Sequence, residues 1–192
     1  MKNRINWVTL ALLISPVAQA GARVELDLTQ TGTTVDAKAY GTLNEHLGYF
    51  ARDIESYSSE TGSSRFTVGT LSYDWNFGGG LVTGIMNTKA IVGAQYKTKV
   101  LGTNCLLWIA ASLEKEPSLN QLVTLERTGD KGFTTGLEGS VSFNKEGYIL
   151  SKERLRLGYT SEEGIGLGLA GNFTQTPDTS SNELGIYLRL TR

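Results

Sequence analysis

Gly164-Ile165-Gly166-Leu167-Gly168-Leu169-Ala170-Gly171-Asn172-Phe173-Thr174 sets Ile165, Leu167, Leu169, Gly171 and Phe173 at alternate positions, with small or polar residues between them. A period of two belongs to a strand whose faces meet different surroundings. After turn residues at Pro177 to Ser181 the period returns, with Leu184, Ile186, Leu188 and Leu190 on one face and Gly185, Tyr187, Arg189 and Thr191 on the other. Two such strands joined by a short turn read as an antiparallel hairpin.

The same punctuation divides the rest of the chain. Extended segments are expected near Arg23 to Gln30, Thr34 to Leu43, Leu47 to Tyr57, Arg65 to Phe77, Leu81 to Met86 and Lys89 to Leu101. Further ones follow near Cys105 to Glu114, Leu119 to Arg127, Phe133 to Asn144, Tyr148 to Tyr159, Gly164 to Gln175 and Asn182 to Leu190. Turn residues separate them, among them Phe77 to Gly80, Met86-Asn87-Thr88, Gly102-Thr103-Asn104, Gly129-Asp130-Lys131-Gly132 and Asn144 to Gly147. The segment from Leu43 to Ser58 fits the alternation least well. Twenty-three glycines against three prolines favour sheet over helix here.

The N-terminus bears the features of an export signal. Lys2 and Arg4 precede an apolar run from Trp7 to Ile14, and Ala18-Gln19-Ala20 supplies small residues before Gly21. Residues 1–20 are therefore expected to be removed and residues 21–192 to form one domain. The signal's apolar run is too short for a spanning helix, which takes about 20 residues, so passage through a bilayer requires a closed sheet. After removal of the signal, 16 basic residues face 19 acidic ones, a net charge of −3, with no surplus for nucleic acid. Cys105, the single cysteine, cannot form an internal disulfide.

These features predict an all-β protein: one closed antiparallel up-and-down transmembrane β-barrel of twelve strands. A count of eight or ten is also compatible with the length. At about 10 residues per membrane strand, twelve strands leave short connections, and an even number brings both termini to the periplasmic side. The longest outer connections are expected at Ser58 to Ser64 and Gln175 to Ser181.

Alternation alone does not orient the wall, because a soluble barrel carries the same period turned inward. With the apolar face on lipid, the lumen receives Arg23, Glu25, Asp27, Asp36, Lys38, Lys89, Gln95, Lys97, Lys99, Glu114, Glu126, Glu138, Arg154, Arg156 and Arg189. Lys38, Lys97, Lys99, Glu126, Glu138, Arg154, Arg156 and Arg189 are the candidate lumen-lining residues. Phe133 and Phe143 share the apolar parity of their strand and sit at its two ends, as interfacial girdles require. Tyr148 breaks the parity of Leu155 and Leu157 unless a bulge intervenes.

Arg154, Arg156 and Arg189 flank a strand whose inner face is glycine, alanine, asparagine and threonine. Two readings follow: a gap beside the arginines that admits an anionic solute, or internal pairing with Glu138, Glu126, Glu25 or Asp27.

Catalytic chemistry finds no support. His46 is the one histidine and lies in a turn, and the position two residues later, where the lipid A deacylase type of outer-membrane enzyme has serine, is Gly48. One histidine and one cysteine far apart make no metal site. Gly78-Gly79-Gly80 lacks the helix and Gly-Lys-Ser/Thr ending of a phosphate loop, and Gly164, Gly166 and Gly168 recur with strand period rather than in a dinucleotide fingerprint. No cofactor is expected.

The terminal strand Glu183-Leu184-Gly185-Ile186-Tyr187-Leu188-Arg189-Leu190 resembles the recognition signal of outer-membrane barrel proteins of the general porin-like class. The resemblance implies that the barrel-assembly machinery reads Gly185, Tyr187, Leu188 and Leu190. It further implies outer-membrane lipid and lipopolysaccharide as surroundings. This chain ends in Thr191-Arg192 where the family ends in an aromatic residue. The function expected is a small porin or channel passing a small solute. A plugged structural or adhesive barrel and a soluble periplasmic barrel carrying an apolar ligand are the alternatives.

Overall fold

The computed structural model describes residues 20–58, 62–129 and 132–192. The expected export signal at residues 1–20 lies outside them except for Ala20, and so do the tip of the Ser58 to Ser64 connection and the centre of the Gly129 to Gly132 turn. Twelve strands follow one another: β1 (Ala20–Thr29), β2 (Gly32–Thr42), β3 (Leu47–Ser58), β4 (Gly62–Asp74), β5 (Gly79–Met86) and β6 (Lys89–Val100). The second half comprises β7 (Thr103–Ser112), β8 (Leu119–Thr128), β9 (Phe133–Asn144), β10 (Gly147–Thr160), β11 (Ile165–Gln175) and β12 (Ser180–Thr191). Each pairs antiparallel with its neighbours in sequence, and β1 closes on β12 from Arg23 opposite Thr191 to Thr29 opposite Gly185. Closure satisfies every edge, which is what an open sheet of these apolar strands lacks.

Every expected segment is a strand, including Leu47–Ser58, and the count is the expected twelve. The connections are short because their residues adopt the conformations that tight hairpins need. Asn87 and Thr88 (φ 47° and 74°) turn β5 into β6, and Leu101 and Gly102 (φ 50° and 80°) turn β6 into β7. One expectation needs correction: the connection at 113–118, between β7 and β8, is longer than both of those expected to be longest, which the strands reduce to 59–61 and 176–179. Glu114 lies in it and pairs with Lys89 at 2.7 Å.

The greasy face points out. Leu167, Leu169, Leu188 and Leu190 are all strongly exposed, as are Leu107, Leu137, Leu155 and Leu157 on other strands. In register, Leu188 lies between Leu26 and Leu167, so the apolar residues form continuous rows around the wall. Tyr148 joins this face through an irregularity in the β9–β10 ladder at Ile149, the bulge its parity required, and its ring meets Phe143 edge-on at 6.2 Å. The outer face is interrupted toward the far end of β3 and β4, where Arg65 holds Asp53 at 2.9 and 2.5 Å and approaches Glu55 at 3.5 Å.

Candidate functional site: the charged interior of the barrel

The inner face of β1 is Arg23, Glu25 and Asp27, because the outer parity is taken by Val24, Leu26 and Leu28. The same rule places Asp36 and Lys38 on β2, Arg52 on β3, Glu126 on β8, Glu138 on β9, Arg154 and Arg156 on β10, and Arg189 on β12. Two cross-strand pairs in this set carry opposite charges, Glu25 with Arg189 and Arg154 with Glu138, whereas Arg23 faces Lys38, Glu25 faces Asp36 and Lys38 faces Arg52 with like charge.

Arg154 is the hub. One edge of its guanidinium donates to Asp27 at 3.0 Å and to Glu25 at 3.3 Å, while Nη1 donates to Asp36 and lies 3.8 Å from Glu138. Arg156 donates Nε to Glu25 at 2.8 Å and Nη2 to Asp27, and its Nη1 reaches Asn172 Oδ1 at 3.1 Å. Arg189 ties Glu25 to Glu126, at 2.7 and 2.9 Å. Arg52 holds Asp36 with two parallel bonds, at 2.9 and 2.7 Å. Such forked contacts fix orientation as well as charge.

Several of these bonds span the interior. In a ring of twelve strands, β3 and β9 stand half-way round from one another, yet Arg52 Nη2 donates to Glu138 at 2.7 Å. Lys38 on β2 reaches the same carboxylate at 3.2 Å. Arg23 on β1 forms a bidentate pair with Glu126 on β8, both bonds at 2.8 Å. The wall formed by β1 to β3 is thus bridged to β8 and β9.

The bridges separate two unlike spaces. On the β10 to β12 side, the gap that one of the two readings places beside the arginines is filled by Tyr187. Its ring is fully buried between Arg189 and Arg156, whose Cζ atoms lie 5.1 and 5.9 Å from the ring centroid. Gly158 and Gly168 form the floor: a Cβ at Gly168 would come within 2.8 Å of the ring. On the β4 to β7 side the interior is apolar, with Val68, Met86, Ile91 and Ala110 packed against Phe50, Phe66 and Trp108. Nearer the termini the same side becomes polar, where Lys97 and Gln95 both reach Asp74.

The sequence-derived lining residues therefore divide. Lys38, Glu126, Glu138, Arg154, Arg156 and Arg189 meet in one lattice. Lys97 pairs with Asp74 at 2.9 Å, apart from it, and Lys99 is exposed near the end of β6. Arg52 and the apolar cluster were not foreseen. In the lattice's end of the barrel, a recess of about 440 Å³ is lined by Arg23, Glu126, Thr128, Thr160, Glu163 and Arg189. A hydrogen bond with Ser161 holds the Glu163 carboxyl below the usual glutamate range. His46 sits in the turn at 43–46, its Nδ1 3.1 Å from the Asp74 carbonyl oxygen and its ring beside Tyr73.

Neither a known protein family nor a curated protein matches the sequence. Solved structures do match by shape. A KdgM porin superposes with a TM-score of 0.55 over 88% of this chain and 98% of its own, at 8% identity. The chain has a porin-like barrel fold. A Salmonella typhi OmpF, solved in complex with daunomycin, gives a TM-score of 0.51 over 91% of this chain and 97% of that one, at 7% identity. At such identities the likeness concerns the barrel and its topology, and the interior described above is this chain's own.

Proposed function

We propose that this protein is a non-enzymatic β-barrel of the Gram-negative outer membrane that passes small hydrophilic solutes through a narrow, charged lumen. The observation that carries the reading is the polarity of the wall: leucines point outward in continuous rows while the eleven charged side chains of the lattice point inward. Arginine or lysine on the outer face at mid-depth would cost about 2–4 kcal/mol in lipid, and the strands with leucine rows keep such residues inside. In this reading residues 1–20 export the chain. The barrel-assembly machinery reads Gly185, Tyr187, Leu188 and Leu190 in β12, and lipid and lipopolysaccharide surround the wall. Solutes are sorted by bore and by the lumen's charge pattern, with no cofactor.

Planar-bilayer recording on purified, folded protein tests the function. Small discrete conductance steps are the expected result, and a folded sample that stays silent refutes it. The Arg52–Glu138 contact between opposite strands favours a second reading, a structural barrel whose lumen stays filled. Silence in the same recording would establish that alternative over the channel.

A further inference from the structure

We propose that Glu126 and Glu138 form a two-point latch that sets the bore of the channel, an inference that rests on the transport function proposed above. These two carboxylates receive the bonds that reach across the interior from β1, β2 and β3. Arg23 ends on Glu126, and Lys38 and Arg52 end on Glu138. Glu126 on β8 stands five strands from β1 by the shorter way round the ring, so its pair with Arg23 joins surfaces that the backbone ladder does not join.

Exposure sorts the lattice into two layers. Asp27, Glu25, Asp36, Arg52, Arg156 and Arg189 keep 6% or less of their side-chain surface, pressed against the wall and around Tyr187. Arg23, Lys38, Arg154, Glu126 and Glu138 keep between 14% and 28%. The second layer is the more exposed of the two. Long side chains in contact with water exchange an ion pair for hydration far more readily than packed apolar groups separate. Widening therefore occurs at the latch, while the Val68, Met86, Ile91 and Ala110 cluster keeps its side of the interior closed.

The latch can open without stranding the cations deep in the wall. When Glu138 releases them, Arg52 and Lys38 both retain Asp36, and Arg154 retains Asp27, Glu25 and Asp36. When Glu126 releases, Arg189 retains Glu25, and Arg23 lies on the lining of the recess at that end of the barrel. The carboxylates of β1 and β2 hold the cations in place, and those of β8 and β9 draw the opposing walls together.

The test compares single-channel conductance of the wild type, Glu126→Gln, Glu138→Gln, the double variant and Glu153→Gln, an outward-facing control. Each is first shown to be folded by heat-modifiable electrophoretic mobility. Conductance at least threefold above wild type in the double variant, with intermediate values in the singles and no change in Glu153→Gln, is the expected result. Unchanged conductance in folded latch variants overturns the latch and leaves the channel standing, whereas silence of wild type and variants alike overturns both. A wild-type measurement needs no substitution: between 0.1 and 1 M salt, about the range over which screening shortens from roughly 10 to 3 Å, conductance should rise more steeply than bulk conductivity. Strict proportionality to bulk conductivity overturns the latch.

Discussion

Arg52 on β3 and Glu138 on β9 belong to strands half-way round the barrel from each other, and their side chains meet at 2.7 Å. Arg52 also holds Asp36 with two bonds. One guanidinium therefore joins the β2–β3 wall to the wall opposite. Removing one partner from a buried pair leaves carboxylates with less compensation, so Arg52→Ala should destabilise the barrel by about 3 kcal/mol. Urea unfolding from lipid vesicles measures this, and a loss below about 1 kcal/mol would contradict the central place given to Arg52.

Tyr187 fills the space above Gly158 and Gly168, and its hydroxyl is buried without a hydrogen-bond partner among the described residues. The ring and the hydroxyl thus have opposite effects. Tyr187→Ala opens a cavity beside Arg156 and Arg189 and should cost about 3 kcal/mol. Tyr187→Phe keeps the ring and removes a group whose burial is uncompensated, so stability should hold or rise by roughly 1 kcal/mol. A comparable loss in both variants would mean that the hydroxyl is bonded.

Leu169 projects from the middle of β11, strongly exposed on the outer face. If that face meets acyl chains, Leu169→Arg should cost about 2–4 kcal/mol. In vesicle-based unfolding, a change within about 0.5 kcal/mol, the usual range for a water-facing surface site, would show that Leu169 faces solvent.

Thr88 has φ 74° in the two-residue turn from β5 to β6, a conformation in which a β-branched side chain crowds its own backbone. Glycine has no such penalty there, and Asn-Gly is the preferred pair for this turn. Thr88→Gly should stabilise the barrel by roughly 1 kcal/mol. Unchanged or lower stability by the same unfolding assay would show that the threonine hydroxyl offsets the strain.

The outer face was legible because leucine and isoleucine recur at every second position of β11 and β12, and the charged ladder on β1, β2 and β10 was legible as their complement. Arg52 was not, because Phe50 and Ile54 share its face of β3 while Asp53 and Glu55 lie on the other, which reverses the usual contrast. The apolar interior of β4 to β7 was hidden for a related reason: Val82 and Ile91 point in while Leu81 and Val92 point out, so alternation vanishes. Tyr187's place was readable only in part. Its parity is plain, but its seat on Gly158 and Gly168 depends on the row that aligns β12, β11 and β10.

Cell fractionation tests most directly the claim that the greasy face meets lipid and the charges face one another inside. The account predicts that the protein remains with the outer membrane through osmotic shock and a urea wash, and dissolves only with detergent. Release into the soluble periplasmic fraction by osmotic shock alone would contradict it.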